Sequence, residues 1–365
     1  MPLNAPVLYS PDLEQPESDE AETSKGLNDT LHEILETTSH DYGHAVRSVH
    51  AKSHGLLEGE FTVRDGLPPE LAQGLFARPG TYRAILRLST NPGDLLDDSI
   101  SAPRGLAIKL LGVEGERLAG SEGDTTQDFI LVNGPAFAVP TGKQFLANLK
   151  LLAKTTDKGE GAKKVLSAVL RGANSALTAV GLQSPKLATM GGAPQVHPLG
   201  ETYYSQVPFR YGDHVAKFQL VPVSAGLKEV AGTTIHASGR PDALREDIAE
   251  TMIEQDAEWE FRVQLQRDRE AQPVEDASTL WDEADAPFVT VATLRAPAQP
   301  SWSPERAKVV DDSLAFSVWH GLAAHRPLGS INRLRQPAYE MSRDYRGRFN
   351  GCPIHEPKEV APLPA

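Results

Sequence analysis

The chemically richest stretch of this chain is Gly329-Ser-Ile-Asn-Arg-Leu-Arg-Gln-Pro-Ala-Tyr-Glu-Met-Ser-Arg-Asp-Tyr-Arg346. It embeds Arg335-x-x-x-Tyr339, with Arg346 a further seven residues on. On a helix, steps of about 100° per residue bring Arg335, Tyr339 and Arg346 within roughly 40° of one another. That face groups one ionisable phenol with two permanent cations. A neighbouring guanidinium favours phenolate over phenol, and phenolate is a hard anionic ligand suited to a ferric ion. The plainer reading is an amphipathic, solvated, basic helix.

A second group lies in Arg47-Ser-Val-His50-Ala-Lys52-Ser-His-Gly55, with two histidines and two basic residues among small neighbours. Imidazole titrates near neutrality and can shuttle protons, although a surface or hydrogen-bonded histidine explains the same residue. A metal held by the His50/His54 pair would need third and fourth ligands that the sequence does not reveal. His44, His320 and His325 read as structural. Trp259, Trp281, Trp302 and Trp319 read as core or interface anchors.

The elements that must position these residues follow from composition and pattern. A chain of 365 residues with 40% apolar content suffices for one large domain or two ordinary ones. A net charge of −13 argues against nucleic acid as a partner. No apolar run is long enough for a membrane span, and no basic region followed by an apolar block marks the N-terminus. Cys352 is the single cysteine, so intrachain disulfides are excluded; a cytoplasmic location is the expectation. Against this acidic background, basic residues concentrate between Arg326 and Arg348, which hints at a bound anion.

Residues 1–27 are acidic and poor in large apolar groups, which predicts a mobile tail or wrapping arm. A short helix carrying Leu31, Ile34 and Leu35 is expected from Asn28. Residues 28–351 form the main domain and 352–365 a C-terminal tail. Strands are predicted around 57–64, 82–90, 104–111, 128–132, 202–209, 214–222, 259–266 and 288–294, with helices over 143–187, 242–256 and 305–312. This pattern fits an α+β fold built on a closed antiparallel β-barrel of about eight strands, with inserted and C-terminal helices. No phosphate-binding loop, nucleophile elbow or internal repeat is present.

Four separated stretches, in order, give the sequence a resemblance to the haem catalases, and more closely to the small catalase-like peroxidases of that superfamily. Arg47-Ser-Val-His50-Ala-Lys is similar to their distal-histidine motif. Arg87-Leu-Ser89-Thr and Pro103-Arg-Gly-Leu-Ala-Ile-Lys-Leu resemble the next two strands. Thr126-Gln-Asp-Phe-Ile-Leu-Val-Asn-Gly-Pro135 resembles the strand bearing the distal asparagine, and Arg335-x-x-x-Tyr339 the proximal tyrosine motif. The resemblance runs from about Thr30 to Gly351. It implies haem b, with Tyr339 as the iron ligand, Arg335 as its charge partner and His50 as the distal acid/base. Arg47, Arg87 and Arg346 fall on the positions that clamp the haem propionates, Ser89 on the serine that bonds the histidine, and Val49 on the residue before it. The implied activity is a hydroperoxidase acting on hydrogen peroxide or organic hydroperoxides with a small-molecule reductant. The alternatives are a fatty-acid hydroperoxide isomerase or peroxygenase, and a non-catalytic haem-binding protein. Homo-oligomers also occur among such proteins.

Two departures stand out. The distal asparagine is not found in the aligned stretch Gly123-Asp-Thr-Thr-Gln-Asp-Phe, so Thr125, Thr126 or Gln127 is expected in its place, which would position peroxide differently. Pro337 interrupts the tyrosine segment. Because proline suits only the first turn of a helix, the helix is expected to start near Gln336 or Pro337, with Arg335 approaching from a preceding loop.

Overall fold

The structure is a computed structural model that describes residues 3–153 and 193–365. Among the described residues nine strands are present: β1 (Ser53–Val63), β2 (Gly80–Thr90), β3 (Arg104–Leu111), β4 (Thr126–Val132), β5 (Tyr203–Tyr204), β6 (Phe209–Tyr211), β7 (His214–Pro222), β8 (Ala257–Leu265) and β9 (Phe288–Ala296). They run in the order β5-β4-β3-β2-β1-β9-β8-β7, and pairing of β5 with β7 closes the ring at eight strands. Every pairing is antiparallel, and β6 adds a short hairpin on β7. The closed barrel of about eight strands expected from the sequence is the one observed.

Alternation along each strand decides what faces inward. Leu86, Leu88, Leu106, Ile108, Phe129, Leu131, Phe218 and Phe261 join one buried core. Phe61, Phe76, Phe129, Phe218 and Phe261 meet at ring distances of 4.7–6.5 Å, so the barrel is filled with aromatic side chains. The intervening residues, among them Arg87, Ser89, Gly105 and Ala107, therefore belong to the outer wall.

The helices are α1 (Glu20–Tyr42), α2 (Gly142–Ala153), α3 (Ala225–Val230), α4 (Ala243–Glu254), α5 (Pro304–Ala307) and α6 (Ser330–Phe349). Leu27, Leu31, Ile34, Leu149, Leu334 and Ala338 pack α1, α2 and α6 together over that outer wall. The helix expected over 143–187 is met by α2; the remainder lies outside the described residues. The strand expected over 202–209 is split into β5 and β6, separated by Gln206 at φ 62°. Among the described residues, no helix is long and apolar enough to cross a membrane.

Two expectations are overturned. The first is the α6 start, which lies at Ser330 with Pro337 inside the helix, so Arg335 belongs to the same helix as Tyr339. Gly329, at φ 83° and with no room for a Cβ beside the Val274 carbonyl, sets the entry. An interior proline costs about 3 kcal/mol, but burial of Ile331 and Leu334 returns about 1.5–3 kcal/mol each. Arg333 adds ion pairs to Glu14, Glu20 and Glu275 at 2.7–2.9 Å.

The second concerns residues 1–27. Val7 and Tyr9 donate to the carbonyls of Gln266 and Asp213, Glu14 pairs with Arg333, and α1 begins at Glu20, well before Asn28. Of the two readings of the acidic segment, these contacts fit the wrapping one. In the C-terminal tail, Val360 and Leu363 pack against Leu56 and Ile85.

Candidate functional site

Between the outer face of β2, β3 and β4 and the helices α1, α2 and α6 lies a long cavity. One end is lined by Arg47, Arg87, Ser89, Phe316 and Arg346. The other end is lined by Leu27, Leu31, Phe137, Phe145, Leu334 and Ala338, with about 1410 Å³ of empty space, solvent at its mouth included. Val49, His50 and Tyr339 line both ends.

His50 reaches the cavity from the loop before β1, at φ 53°, a left-handed conformation that costs a side-chain-bearing residue about 1–3 kcal/mol. Its conformation is held on three sides. The His50 N–H donates to the Asn91 carbonyl at 2.8 Å, the Ala51 N–H to the Pro92 carbonyl at 3.0 Å, and Nδ1 lies 3.0 Å from Ser89 Oγ. Beneath the ring is Gly105, where a Cβ would stand 2.6 Å from His50 Cε1. Burial, reinforced by Arg87, Arg335 and Arg47, pushes the His50 pKa down to about 3. The imidazole is therefore neutral at ordinary pH.

The basic end is built around Asp311, on a single π turn (Lys308–Asp312) that continues α5. Asp311 Oδ1 accepts from Arg87 Nε at 2.6 Å and Arg47 Nη1 at 2.9 Å, while Oδ2 accepts from Ser53 Oγ at 2.7 Å. Its main-chain carbonyl accepts from Arg346 Nη1 at 2.6 Å. Arg47 and Arg87 thus share the Asp311 carboxylate while Arg346 holds its main-chain carbonyl, so the three guanidinium groups outnumber the carboxylates that act on them, Asp311 and Asp312. The imbalance is visible in their acidity. Burial, then Arg87 and Arg346, pushes Arg47 well down; burial, with Arg87 opposing its charge, brings Arg346 to about 10. Arg346 Nε is buried without a hydrogen-bond partner.

Arg335 and Tyr339 stand one turn apart on α6, where the Arg335 side chain donates to Asn332 Oδ1 at 3.1 Å. The continuous helix keeps Arg335, Tyr339 and Arg346 on one face. Every sequence-predicted arginine, together with Val49, His50, Ser89 and Tyr339, lines the cavity.

Thr125, Thr126 and Gln127 do not line it. Thr126 donates to Glu356 at 2.6 Å, Gln127 accepts from the Leu322 N–H at 2.9 Å, and the Thr125 carbonyl accepts from the Val113 N–H. The register explains the correction: Thr126 opposes Leu111, whereas Val132 opposes Gly105, the glycine under His50. Six residues of strand separate the two ends, about 20 Å at the usual rise. A cavity residue that the sequence reading did not single out is Asn133, which follows β4 and lines the cavity with His50. Its Oδ1 accepts from the Arg104 N–H at 2.8 Å, and its Nδ2 donates to Glu201 at 2.7 Å. The Asn133-Gly-Pro turn that ends the strand was the available signal.

The other candidates have ordinary partners. His54 is bonded to Thr90, His44 to Asp312, and His325 accepts from the Leu75 N–H. His320 lies between Asp128 and Glu356.

The sequence matches no protein-family model and no curated protein. Solved structures do match. A bacterial catalase aligns at 18% identity and TM-score 0.60, covering 98% of this chain and 67% of its own. A fungal catalase aligns at 16% and 0.59, covering 88% and 64%. Catalase A from Saccharomyces cerevisiae aligns at 15% and 0.59, covering 88% and 66%. This chain has the catalase fold. It spans about two thirds of the length of those catalases. Within the catalase fold as this sequence builds it, the barrel core is solid and the cavity lies outside it, under the wrapping helices.

Proposed function

We propose that this protein is a haem-dependent hydroperoxidase of the small catalase-like branch, using haem b and a small-molecule reductant. The observation that carries the reading is the cluster of three arginines, in excess of its carboxylates, facing the same cavity as a phenol and a neutral imidazole. A haem offers two carboxylates, an apolar ring and a ferric ion, and each finds a counterpart. Arg47, Arg87 and Arg346 would take the carboxylates, with the unpartnered Arg346 Nε supplying one donor. The apolar end lined by Leu334, Ala338 and Phe137 suits the ring, and Tyr339, beside Arg335, would ligate the iron. When bound, such a group supplies the redox chemistry that cleaves an O–O bond.

The chain's own residues then handle protons and orientation. With Nδ1–H donated to Ser89 Oγ, His50 Nε2 is left as the proton acceptor. Because His50 is neutral, it can take the proton from one peroxide oxygen and return it to the other. Asn133, fixed by Arg104 and Glu201, presents an amide beside it to orient the peroxide. The apolar lining favours hydroperoxides with an apolar body and keeps bulk water from the proton in transit.

Reconstitution with haemin tests the assignment. The expected result is a Soret band that changes in Tyr339→Phe, with peroxidase turnover falling by about 100-fold or more in His50→Ala. Hydrogen peroxide and cumene hydroperoxide, assayed side by side, decide the substrate class. The absence of a Soret shift in the wild type refutes the reading; equal, negligible turnover in wild type and His50→Ala leaves haem binding without catalysis.

A further inference from the structure

A second cavity lies on the outer face of β7 and β8, beneath the segment between β8 and β9, with about 970 Å³ of empty space, its open mouth included. It is separate from the first. Gln206 borders both, and its amide donates to the carbonyls of Gly134 and Ala136, forming the wall between them.

The polar groups of this cavity are mismatched. Lys217 is buried, 4% exposed, yet among the described residues its ammonium makes no ion pair. It donates to the Thr279 carbonyl at 3.1 Å and lies 4.8 Å from the ring centre of Trp281. Asp276 acts on it only through space and is itself hydrogen-bonded to Ser278. Burial consequently pushes Lys217 down to about 8. The Trp281 Nε1–H is also buried and has no partner. A buried cation without a counter-ion and a buried donor without an acceptor are each unfavourable, and an anionic oxygen pair would supply what both lack.

The walls narrow the choice of anion. Tyr204 and Phe288 face each other edge to face at 6.3 Å, and Trp281 closes a third side. Asp282 and Glu283 stand exposed at the mouth and would repel a second negative charge. We propose that this cavity binds a small aromatic monocarboxylate, its carboxylate on the Lys217 ammonium and the Trp281 indole N–H and its ring among Tyr204, Trp281 and Phe288.

The test is calorimetric titration of the full-length protein with 3-phenylpropionate and with its uncharged amide. The acid is expected to bind at least tenfold more tightly than the amide at pH 7. Lys217→Met should erase that preference and Lys217→Arg preserve it. Trp281→Phe, which keeps a ring but removes the N–H, should weaken the acid several-fold. Because the unliganded Lys217 loses its proton near pH 8, the preference should shrink steadily between pH 7 and pH 9.5. Thermal melts of the variants establish that they are folded, and Lys217→Met removes a charge that no side chain neutralises. Equal binding of acid and amide, no binding of either, or a preference that survives Lys217→Met overturns the site. A parallel haemin titration keeps the two proposals apart: haemin binding without acid preference rejects this site alone, and acid preference without haemin binding rejects the proposed cofactor alone.

Discussion

Arg346→Met should affect stability and cofactor binding in opposite directions. In the cofactor-free protein, Arg346 is buried beside Arg47 and Arg87, which hold the Asp311 carboxylate, and itself donates to the Asp311 main-chain carbonyl. Its pKa falls to about 10 from the ordinary 12.5. At about 1.4 kcal/mol per pH unit, this places about 3 kcal/mol against the charged side chain. Methionine fills similar space without charge but forfeits the hydrogen bond to the Asp311 carbonyl, about 1 kcal/mol. The variant should therefore be more stable than wild type by about 2 kcal/mol in urea denaturation at pH 7. Haemin binding, followed at the Soret band, should meanwhile weaken by a charge-assisted hydrogen bond, about 1.5–3 kcal/mol or roughly 10- to 150-fold. This opposition marks a cluster that is strained until an anion arrives. Destabilisation of the cofactor-free variant, or unchanged haemin affinity, would refute the argument.

Gly105→Ala should displace the His50 ring and lower turnover at least tenfold, while a Soret titration shows haemin still bound, since the added methyl lies under the imidazole and away from the arginines. Asn133→Ala should leave haemin affinity within threefold of wild type but reduce kcat for peroxide by about 10- to 100-fold, read by stopped-flow absorbance. Acid should weaken the fold through His325, whose Nε2 accepts from the Leu75 N–H and whose pKa burial depresses to about 3. Its stabilisation is complete above the unfolded value of about 6.5 and is lost as pH falls toward 3. Between pH 7 and pH 5 that loss is about 2 kcal/mol, and urea melts of His325→Gln should show a correspondingly shallower pH dependence.

The sequence by itself determined the strands and the closed barrel, because two-residue alternation and turn residues are local signals. It also supplied His50, Tyr339 and the arginines, whose types and order suffice to suggest an anion and a metal ligand. It did not determine where α6 begins. Pro337 argues locally for a start near itself, and only the packing of Leu334 and Ala338 against α1, with Arg333 held by three glutamates, outweighs it. Residues 1–27 look mobile by composition for the same reason: their partners, Gln266, Asp213 and Arg333, are remote in sequence. The proposed distal amide shows this most clearly. Thr125, Thr126 and Gln127 fit the aligned stretch, but strand register decides which end of β4 meets His50, and that end carries Asn133. Register, ion pairing across hundreds of residues and the sharing of Asp311 among three arginines arise only when the sheet closes and the helices wrap it, so tertiary structure alone could assign them.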